Sequence, residues 1–457
     1  MSKVLFVYAK GGPPLEYALS RVAARAEVHL LALSPLPPSA RGRCARLCAS
    51  VTVPGEAGPP DLVALITARA QAVGADAVFT PSEYAVVAVA EACRKLGLAG
   101  AGDTCVLARD KRMMRLTWWE HGVPQPRFRA VADEAEIRAA AAGIGFPMLL
   151  KAAWSAGSTA HRIISGPEDI APAWRRARAV MEESARHGYA ELHVAGADGD
   201  FLVEQIVEGT AEDWFDEPGW GDYVSVEGIV ADGVYHPVCL SGRMPTVAPF
   251  TERASITPAL LPAAAQERIV ELARAAVDAL GLRTCGTHTE IKLGAGGEMW
   301  VIETAARFGG AMTVPQIEEV FGADLIGMLV DGLLGRPVAW PGGVLGPGEA
   351  VGAAGSLVVL GVDRTGAPWP DRRVWDFSAV DRPALITEGS RLTEVTEHSL
   401  PHGTPVPVYD PAAGANSMAA LCLLSASDPV TVIRDFETLT DALPDVLPAV
   451  PDGGGRI

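Results

Sequence analysis

The sequence predicts an α/β (α+β) protein, on three observations. Strand-like and helical segments alternate through the N-terminal part, beginning with the apolar strand Lys3–Tyr8, and this alternation is typical of a parallel sheet covered by helices. The segment 287–304 predicts a β-hairpin, because two β-prone runs flank the turn Gly-Ala-Gly-Gly. Further β-prone runs between 350 and 443 predict a β-rich C-terminal extension.

Length and charge limit the class of partner. The chain has 457 residues, enough for about three domains at roughly 150 residues each. A net charge of −17 argues against nucleic acid or an anionic membrane as partner, since both favour a basic face. Seven cysteines without a CxxC pair indicate neither a disulfide framework nor a zinc site. With no bilayer-length apolar run or signal peptide, a cytoplasmic protein is expected.

In the N-terminal part, helical spacing over 15–26 and strands at 29–33 and 75–80 continue the alternation. The run Thr80-Pro81-Ser82-Glu83 predicts a helix with Thr80 as its cap, ending near Gly97. Ligands of parallel sheets collect at the carboxyl ends of strands, which makes Glu83 a candidate substrate contact. No GxGxxG follows the first strand. We therefore expect a supporting or substrate-lining domain rather than a dinucleotide-binding one.

The middle of the chain carries a candidate phosphate site. Asp110 and Lys111 fall in a predicted helix, and a strand at 145–151 ends in Lys151 before a loop of small residues, 155–160. Small side chains leave backbone N–H groups free for anionic oxygens, and the ammonium neutralises them. A further strand, 201–207, is followed by Glu208, so this stretch could offer backbone groups to adenine and a carboxylate to ribose.

The predicted hairpin at 287–304 carries the most specific pattern. Glu290 and Glu303 stand 303 − 290 = 13 positions apart, and a turn of even length would set both on one face. Because like charges on adjacent strands repel, the pair predicts a shared divalent cation such as magnesium, bound together with phosphate oxygens. Arg307 would then face phosphate, and His288 would share the face of Glu290. An ordinary charged hairpin is the alternative.

Taken in order, four motifs resemble the ATP-grasp superfamily of carboxylate–amine ligases, and in particular the L-amino acid ligases that form dipeptides. The motifs are Asp110-Lys111, GFPMLLK with its loop, FLVEQIVEG and TEIKL…VIETAARFGG. The resemblance covers most of the chain. It implies ATP with Mg²⁺ or Mn²⁺, amino acid or related carboxylate and amine substrates, and is compatible with a homodimer. The implied divisions are a Rossmann-like domain (1–107), a central subdomain (108–208), a catalytic subdomain (209–342) and a β-rich extension (343–457).

The resemblance also implies roles for single residues. Glu290 and Glu303 would bind the metal, Arg307 would steady the transferring phosphoryl group, and His288 would contact substrate or deprotonate the amine. Glu208 would bind ribose, with Glu212 and Asp222 as alternatives. The nucleotide contacts would be Lys111, Lys151, Ser155, Gly157, Ser158, Glu204, Gln205 and Val207, and Gly309, Gly310 and Ala311 would line the acceptor side. Apart from the resemblance, Glu83 and, in the loop 244–262, Glu252 are candidate substrate contacts.

One position departs from the pattern. Ala305 stands where many ATP-grasp members have an asparagine that binds the metal. Water or a bidentate Glu303 would fill that coordination position, or a second magnesium would be weaker, or catalysis would be impaired. The competing hypotheses are accordingly a non-catalytic ATP-binding paralogue and a biotin-carboxylase-like carboxylation. The second is disfavoured because the chain lacks a run of glycines after Lys151 and an MKM biotinyl acceptor.

Overall fold

The computed structural model describes residues 1–54, 61–186, 200–411 and 413–450. At the N-terminal end four parallel strands form a sheet in the order β3-β2-β1-β4, as the alternating pattern predicts. Its elements are β1 (Lys3–Tyr8), α1 (Leu15–Ala23), β2 (Glu27–Ala32), α2 (Arg41–Leu47), β3 (Cys48–Thr52), α3 (Leu62–Val73), β4 (Ala77–Phe79) and α4 (Val86–Leu96).

The start of α4 differs from the sequence prediction. The helix begins at Val86, after a 3₁₀ turn over Glu83–Ala85, and Thr80 is not its cap. The Thr80 hydroxyl oxygen instead accepts a hydrogen bond from the Ser82 backbone N–H at 3.1 Å, a local turn that competes with helix formation. The predicted end is confirmed, because Gly97 closes the helix in a left-handed conformation, with φ of 67°.

The central part is an antiparallel sheet in the order β5-β8-β6-β7, flanked by helices. Its elements are α5 (Lys111–Glu120), β5 (Phe128–Val131), α6 (Glu134–Ile144), β6 (Met148–Ala152), β7 (Arg162–Ile164), α7 (Ile170–Arg186) and β8 (Phe201–Gln205). Asp110 lies before α5 rather than within it, since its carboxylate accepts from the Arg112 N–H as the helix cap. Lys111 is therefore the first residue of the helix.

The largest layer is an antiparallel sheet of eight strands in the order β13-β12-β9-β10-β11-β14-β18-β16. Helix α8 buries Ile269, Ala273, Ala276 and Leu280, a spacing that places them on one face of the helix against the sheet. The elements from this part of the chain are β9 (Tyr223–Ala231), β10 (Val234–Arg243), β11 (Ala254–Thr257), α8 (Ala263–Leu280), β12 (Cys285–Leu293), β13 (Met299–Ala305), α9 (Thr313–Phe321) and α10 (Leu325–Leu333).

The C-terminal part completes the same sheet, since β14 pairs with β11 and β18 pairs with β14. Helix α12 covers these strands with the buried side chains Val432, Phe436 and Leu439. The elements are β14 (Ala353–Val359), β15 (Val374–Trp375), α11 (Arg382–Leu385), β16 (Arg391–Glu394), β17 (Thr404–Pro405), β18 (Ala420–Ala426) and α12 (Pro429–Val446). In the parts of the chain that the structure describes, no helix has the length and apolarity needed to cross a bilayer.

Candidate active site

A cavity of about 200 Å³ opens between the central sheet and the eight-stranded sheet. One side is formed by β6, β8 and the small-residue loop, and the other by β9, β12 and β13. Of the residues predicted from the sequence, those that line this cavity are Lys111, Lys151, Ser155, Gly157, Ser158, Glu204, Gln205, Val207, Glu252, Glu290 and Glu303. Residues far apart in the sequence thus converge on one cavity.

Two buried lysines bring positive charge to the cavity. The Lys111 ammonium lies 3.1 Å from a Glu303 carboxylate oxygen and donates to the Ser155 carbonyl at 2.7 Å. The Lys151 ammonium lies 2.8 Å from Glu204. Lys111 is held by the first turn of α5 and Lys151 by a central strand, so neither cation depends on a loop for its position.

Glu204 forms the structural centre of this charge cluster. Its buried carboxylate accepts from Lys151 on one oxygen and from Arg115 at 2.7 Å on the other. Burial would raise the pKa of Glu204, but the charges of Arg115 and Lys151 outweigh burial and lower the pKa to about 2. The sequence analysis missed Arg115. The available signal was its position four residues after Lys111, which puts both on one helix face.

The two hairpin acids face each other across the ladder, because Glu290 pairs directly with Glu303. The predicted shared face is confirmed, but the predicted reason is wrong. The loop between β12 and β13 has an odd number of residues, 294–298, and the register is restored by a bulge that leaves Ile302 without a partner. Without the bulge Glu290 would face Ile302, and Glu303 would turn away from the cavity.

His288 lies on the face of Glu290, as predicted, but does not line the cavity. One ring nitrogen contacts the buried Glu227 carboxylate, and the other lies 3.3 Å from Glu290. Burial would lower the pKa of His288, but the Glu227 carboxylate and the contact with Glu290 raise it to about 9. The ring is therefore a hydrogen-bond donor toward both acids near neutral pH. Its cross-strand neighbour is Ala305, so the ring stands beside the position of the usual asparagine.

A second charged cluster, formed by Glu83, Arg109 and Arg307, lies next to His288 and Glu227. Arg307 does not line the cavity; its guanidinium contacts the buried Glu83, which also lies 3.4 Å from Arg109. Burial would raise the pKa of Glu83, but Arg307 and Arg109 lower it. The Gly309 backbone N–H donates to Glu227 at 2.8 Å, which ties this cluster to His288. Gly310 and Ala311 follow in the chain, and Ala311 has a left-handed φ of 51°, a conformation that L residues rarely adopt.

The opposite end of the cavity tests the predicted ribose contact. Glu208 is exposed and lies outside the cavity lining, as does the alternative Glu212. Asp222, the other alternative, lines the cavity and accepts from the Lys292 ammonium at 2.6 Å. The sequence could not show which of these three acids reaches the cavity, because residues 209–222 form an irregular connection whose path no periodicity predicts.

The sequence analysis missed two further polar groups, His161 in the cavity lining and Arg243 behind the lining residue Glu252. His161 follows the small-residue loop and lines the cavity; burial and the charges of Lys151 and Lys111 lower its pKa well below the usual range, so the ring is neutral. The buried Arg243 contacts Glu252 and donates to the Ser225 hydroxyl at 3.0 Å. Neighbouring Arg253 points away, toward the Arg364 carbonyl. Neither His161 nor Arg243 belongs to a motif visible in one sequence.

The hairpin acids form a pair rather than a larger ligand set. Within the described ranges, no group of three or more His, Cys, Asp or Glu side chains is arranged to hold a metal ion. The side chains of Glu290 and Glu303 are 29% and 23% exposed, which leaves oxygens accessible from the cavity. Two carboxylates with phosphate oxygens fit magnesium, which keeps several ligands from water or substrate.

Comparison with known proteins gives the class. Residues 144–315 match the ATP-grasp domain family. Over 290 residues the chain is 36% identical to the alanine–anticapsin ligase of Bacillus subtilis (strain 168), a match that spans 62% of this chain and 60% of that protein. Residues 144–315 of this chain therefore form an ATP-grasp domain, and the predicted fold is confirmed. It matches less than two thirds of the length of that curated relative.

Solved structures extend the match to the whole chain. The L-amino acid ligase from Bacillus licheniformis has a TM-score of 0.73 at 18% identity and covers 99% of both chains. The biotin carboxylase domain of the Hydrogenobacter thermophilus 2-oxoglutarate carboxylase, solved with the magnesium salt of ADP and with bicarbonate, has a TM-score of 0.66 at 17% identity and covers 98% of this chain and 96% of that chain. The fold of this chain thus follows that of the L-amino acid ligase over 99% of its length.

Proposed function

We propose that this protein is an ATP-dependent ligase that joins the carboxylate of an amino acid, or a related acid, to an amine. The observation that carries the proposal is that charged side chains extend without a gap from the cavity to the second cluster. Lys111 and Lys151 enter one cavity with the facing pair Glu290 and Glu303, and His288 links this pair to the second cluster. A triphosphate and an acceptor could therefore meet at Glu290.

The proposed reaction has two steps. A carboxylate oxygen of the first substrate attacks the γ-phosphorus, and ADP leaves; the amine of the second substrate then attacks the acyl carbon, loses a proton, and expels phosphate. Positioning and neutralisation of charge supply most of the rate enhancement in phosphoryl transfer. Lys111 and Lys151 would neutralise the phosphates, and the closed loop 155–160 would keep water from the acyl phosphate.

The nucleotide would lie along the cavity. Gln205 and Val207 would border adenine together with the backbone beside Glu204, whose carboxylate is already paired with two cations. Asp222 replaces Glu208 as our choice for the ribose hydroxyls, because Asp222 lines the cavity and a carboxylate accepts from paired hydroxyls. At the other end of the cavity, the motif TEIKL…VIETAARFGG supplies Glu290 and Glu303, the proposed metal ligands.

Glu290 and Glu303 would hold magnesium, or manganese, and their direct pairing across the ladder supports this role. The metal would supply charge neutralisation for the β- and γ-phosphate oxygens. Where an asparagine would add a third protein ligand, this chain has Ala305, with His288 beside it. Water or a second Glu303 oxygen would complete the coordination.

The acceptor side would be formed by the second cluster. Arg307 would steady the phosphoryl group and the acyl phosphate, while Gly310 and Ala311 would leave room for a side chain. Gly309 is packed against His288 and Thr313 and would support the site rather than widen it. Glu252 lines the cavity and would contact substrate, since a carboxylate suits an ammonium group. The buried Glu83, paired with Arg307 and Arg109, would instead hold Arg307 in position. The relative named as an alanine–anticapsin ligase supports an amino acid as one of the two substrates. A homodimer and a cytoplasmic location stay predictions, the first to be measured by light scattering.

The test is a matrix of amino acids and amines assayed for phosphate release, with products identified by mass spectrometry. We expect at least one pair to yield equal amounts of phosphate and amide. Glu303→Gln should lower turnover about a hundredfold or more, the scale of losing one preorganised charge contact. Glu298→Gln, an exposed acid beside the same hairpin turn, is the matched control and should match the wild type.

Three outcomes separate the alternatives. Bicarbonate-dependent ATP turnover without amide formation would favour the carboxylase reading, which the fold shared with a biotin carboxylase domain keeps open. Calorimetric binding of ATP without turnover across the panel would favour the non-catalytic paralogue. No ATP binding at all would overturn the whole proposal.

A further inference from the structure

The small-residue loop is contacted by a segment of the C-terminal extension. The Asn416 side-chain amide donates to the Thr159 hydroxyl at 3.2 Å. Gly414 lies against Gly157, so closely that a Cβ on Gly414 would stand 2.7 Å from the Gly157 carbonyl oxygen. Ala415, between them, lines the cavity. The C-terminal extension therefore reaches the proposed phosphate site directly.

This segment is a defined structure with anchors on two sides. We name Tyr409, Asp410 and Gly414–Asn416 the C-terminal clasp. Asp410 forms an ion pair at 2.7 Å with Arg176 on α7 of the central part. The Tyr409 hydroxyl contacts the Ala248 carbonyl at 2.9 Å and the Thr251 hydroxyl at 2.7 Å. The clasp thus connects the central part to the loop that carries Glu252.

The loop that carries Glu252 also contacts the small-residue loop, through Phe250. The Ser158 hydroxyl donates to the Phe250 carbonyl at 3.1 Å, and Phe250 lines the cavity. The loop itself has an unusual backbone, with left-handed φ values of 63°, 60° and 62° at Gly157, Ser158 and Ala160. L residues disfavour this region, so such a conformation persists where surrounding contacts hold it.

We propose that the C-terminal clasp holds the small-residue loop closed over bound ATP, with Asn416 as a positioning residue. The inference rests on the proposed function, because it takes the cavity to be the ATP site. Closure by the clasp would exclude water while the acyl phosphate exists. ATP turnover and product formation would therefore be coupled through a residue of the C-terminal extension that does not itself touch the reacting atoms.

The kinetic test compares Asn416→Ala with the wild type. Loss of one hydrogen bond should raise KM for ATP about fivefold, and phosphate release should exceed amide formation because water now enters. Asn416→Gln, which keeps the amide, should recover part of the coupling. Thr438→Ala is the matched control, since Thr438 is an exposed C-terminal residue that donates to the carbonyl of its own helix, and it should leave both values unchanged.

A second variant tests the same contact by sterics. Gly414→Ala adds a Cβ against the Gly157 carbonyl at a left-handed φ of 56°. It should uncouple phosphate release more strongly than Asn416→Ala, with the far-ultraviolet circular dichroism of the wild type. Normal coupling in both variants would overturn the clasp while leaving the proposed function in place.

The sequence offers a direct spectroscopic readout, because Asn416 is the single asparagine among the 457 residues. Selective ¹⁵N-asparagine labelling would give one side-chain amide pair in the NMR spectrum. We expect this pair to shift when ATP is added to the wild-type protein, and an unshifted pair at saturating ATP would contradict the clasp. Failure of the wild type to bind ATP would instead overturn the proposed function and the clasp with it.

Discussion

At the scale of single residues, Glu204 is the acid on which the cationic wall of the cavity depends. It is buried, and it is shared between Arg115 and Lys151. Removing one partner of a buried ion pair leaves the other charges uncompensated, which is more costly than the net contribution of the pair. The Glu204 carboxylate thus both stabilises the fold around the site and offsets the positive charge of Arg115 and Lys151.

Glu204→Gln should destabilise the fold by about 3 kcal/mol at pH 7, the scale of a pKa lowered to about 2 from its ordinary value. The sign follows from the lowered pKa of Glu204. Its contribution is fully present above the pKa of the unfolded chain and is lost as pH falls toward the folded pKa. Denaturation at pH 7 and pH 3.5 should therefore show the gap between variant and wild type narrowing in acid, and a constant gap would contradict this account.

Residues within continuous motifs could be predicted from the sequence, and residues placed by tertiary contacts could not. Lys111, Lys151 and the hairpin acids lie in helices or strands whose sequence patterns are local. Arg109 and Arg243 are buried by elements distant in the sequence, so their roles appear only after folding. Ala305 was visible as a departure, but its pairing with His288 required the register of two strands.

At the scale of elements, the bulge in β13 decides which way Glu303 points. Side chains alternate along a strand, so an extra residue reverses the alternation from that point on. The sequence predicted that Glu290 and Glu303 share a face but did not predict the bulge. A loop with an odd number of residues and one extra residue in the strand give the same facing as an even loop without a bulge. Ile302 also lines the cavity beside Glu303.

Deletion of Ile302 removes the extra residue of the bulge, so Glu303 would follow Val301 directly and would still pair with Glu290 in a regular ladder. We therefore expect the deletion variant to retain ATP turnover within about tenfold of the wild type. Ile302→Ala, which keeps the number of residues, should do the same, since it removes only apolar contacts. Turnover assays with calorimetric measurement of metal–nucleotide binding would test both variants. Loss of metal–nucleotide binding in the deletion variant alone would show that the bulge itself, rather than the pairing of the two acids, orients Glu303.

Helix α1 shows a second long-range dependence. Pro14 precedes it without a side-chain cap, and the Glu397 carboxylate accepts from the Glu16 backbone N–H at 3.4 Å. Burial raises the pKa of Glu397 to about 7. The neutral carboxyl is therefore the form that the folded state favours, and deprotonation costs stability.

Glu397→Gln keeps an acceptor and removes the ionisation. Because the folded pKa of Glu397 lies above its unfolded value, the wild type loses stability as pH rises from about 4.5 to 7. The variant should gain about 1 to 2 kcal/mol over the wild type at pH 8, and the gain should vanish near pH 4. Urea titrations across this range measure the gain, with the exposed Glu388→Gln expected to behave as wild type.

At the scale of the whole molecule, the eight-stranded sheet takes strands from both sides of residue 343. β14, β18 and β16 extend the part of the sheet that contains the candidate metal pair. The sequence predicted a β-rich extension there, but patterns of alternation do not reveal which strands become neighbours. The division at 343 stays a prediction, and the sheet runs across it.

A chain ending at residue 342 should fail to fold to a monomer with the wild-type stability. It would uncover β11, whose Ala254 and Ile256 are fully buried, and would lose Phe436 and the other side chains of α12, each worth about 2 kcal/mol when buried. Size-exclusion chromatography and a urea transition would measure this. A cooperative transition at the wild-type midpoint would show that the extension folds separately.

The contact between the clasp and the small-residue loop also bears on how such a protein could be re-engineered. Exchanging the C-terminal extension for that of a homologue would move Gly414 and Asn416 together with three strands of the eight-stranded sheet. If the new extension did not fit the small-residue loop, the chimera would hydrolyse ATP without forming product, even with every motif intact. Chimeras of this protein should therefore be screened by the ratio of product to phosphate. A screen for the yield of folded protein alone would miss chimeras that release phosphate without forming product.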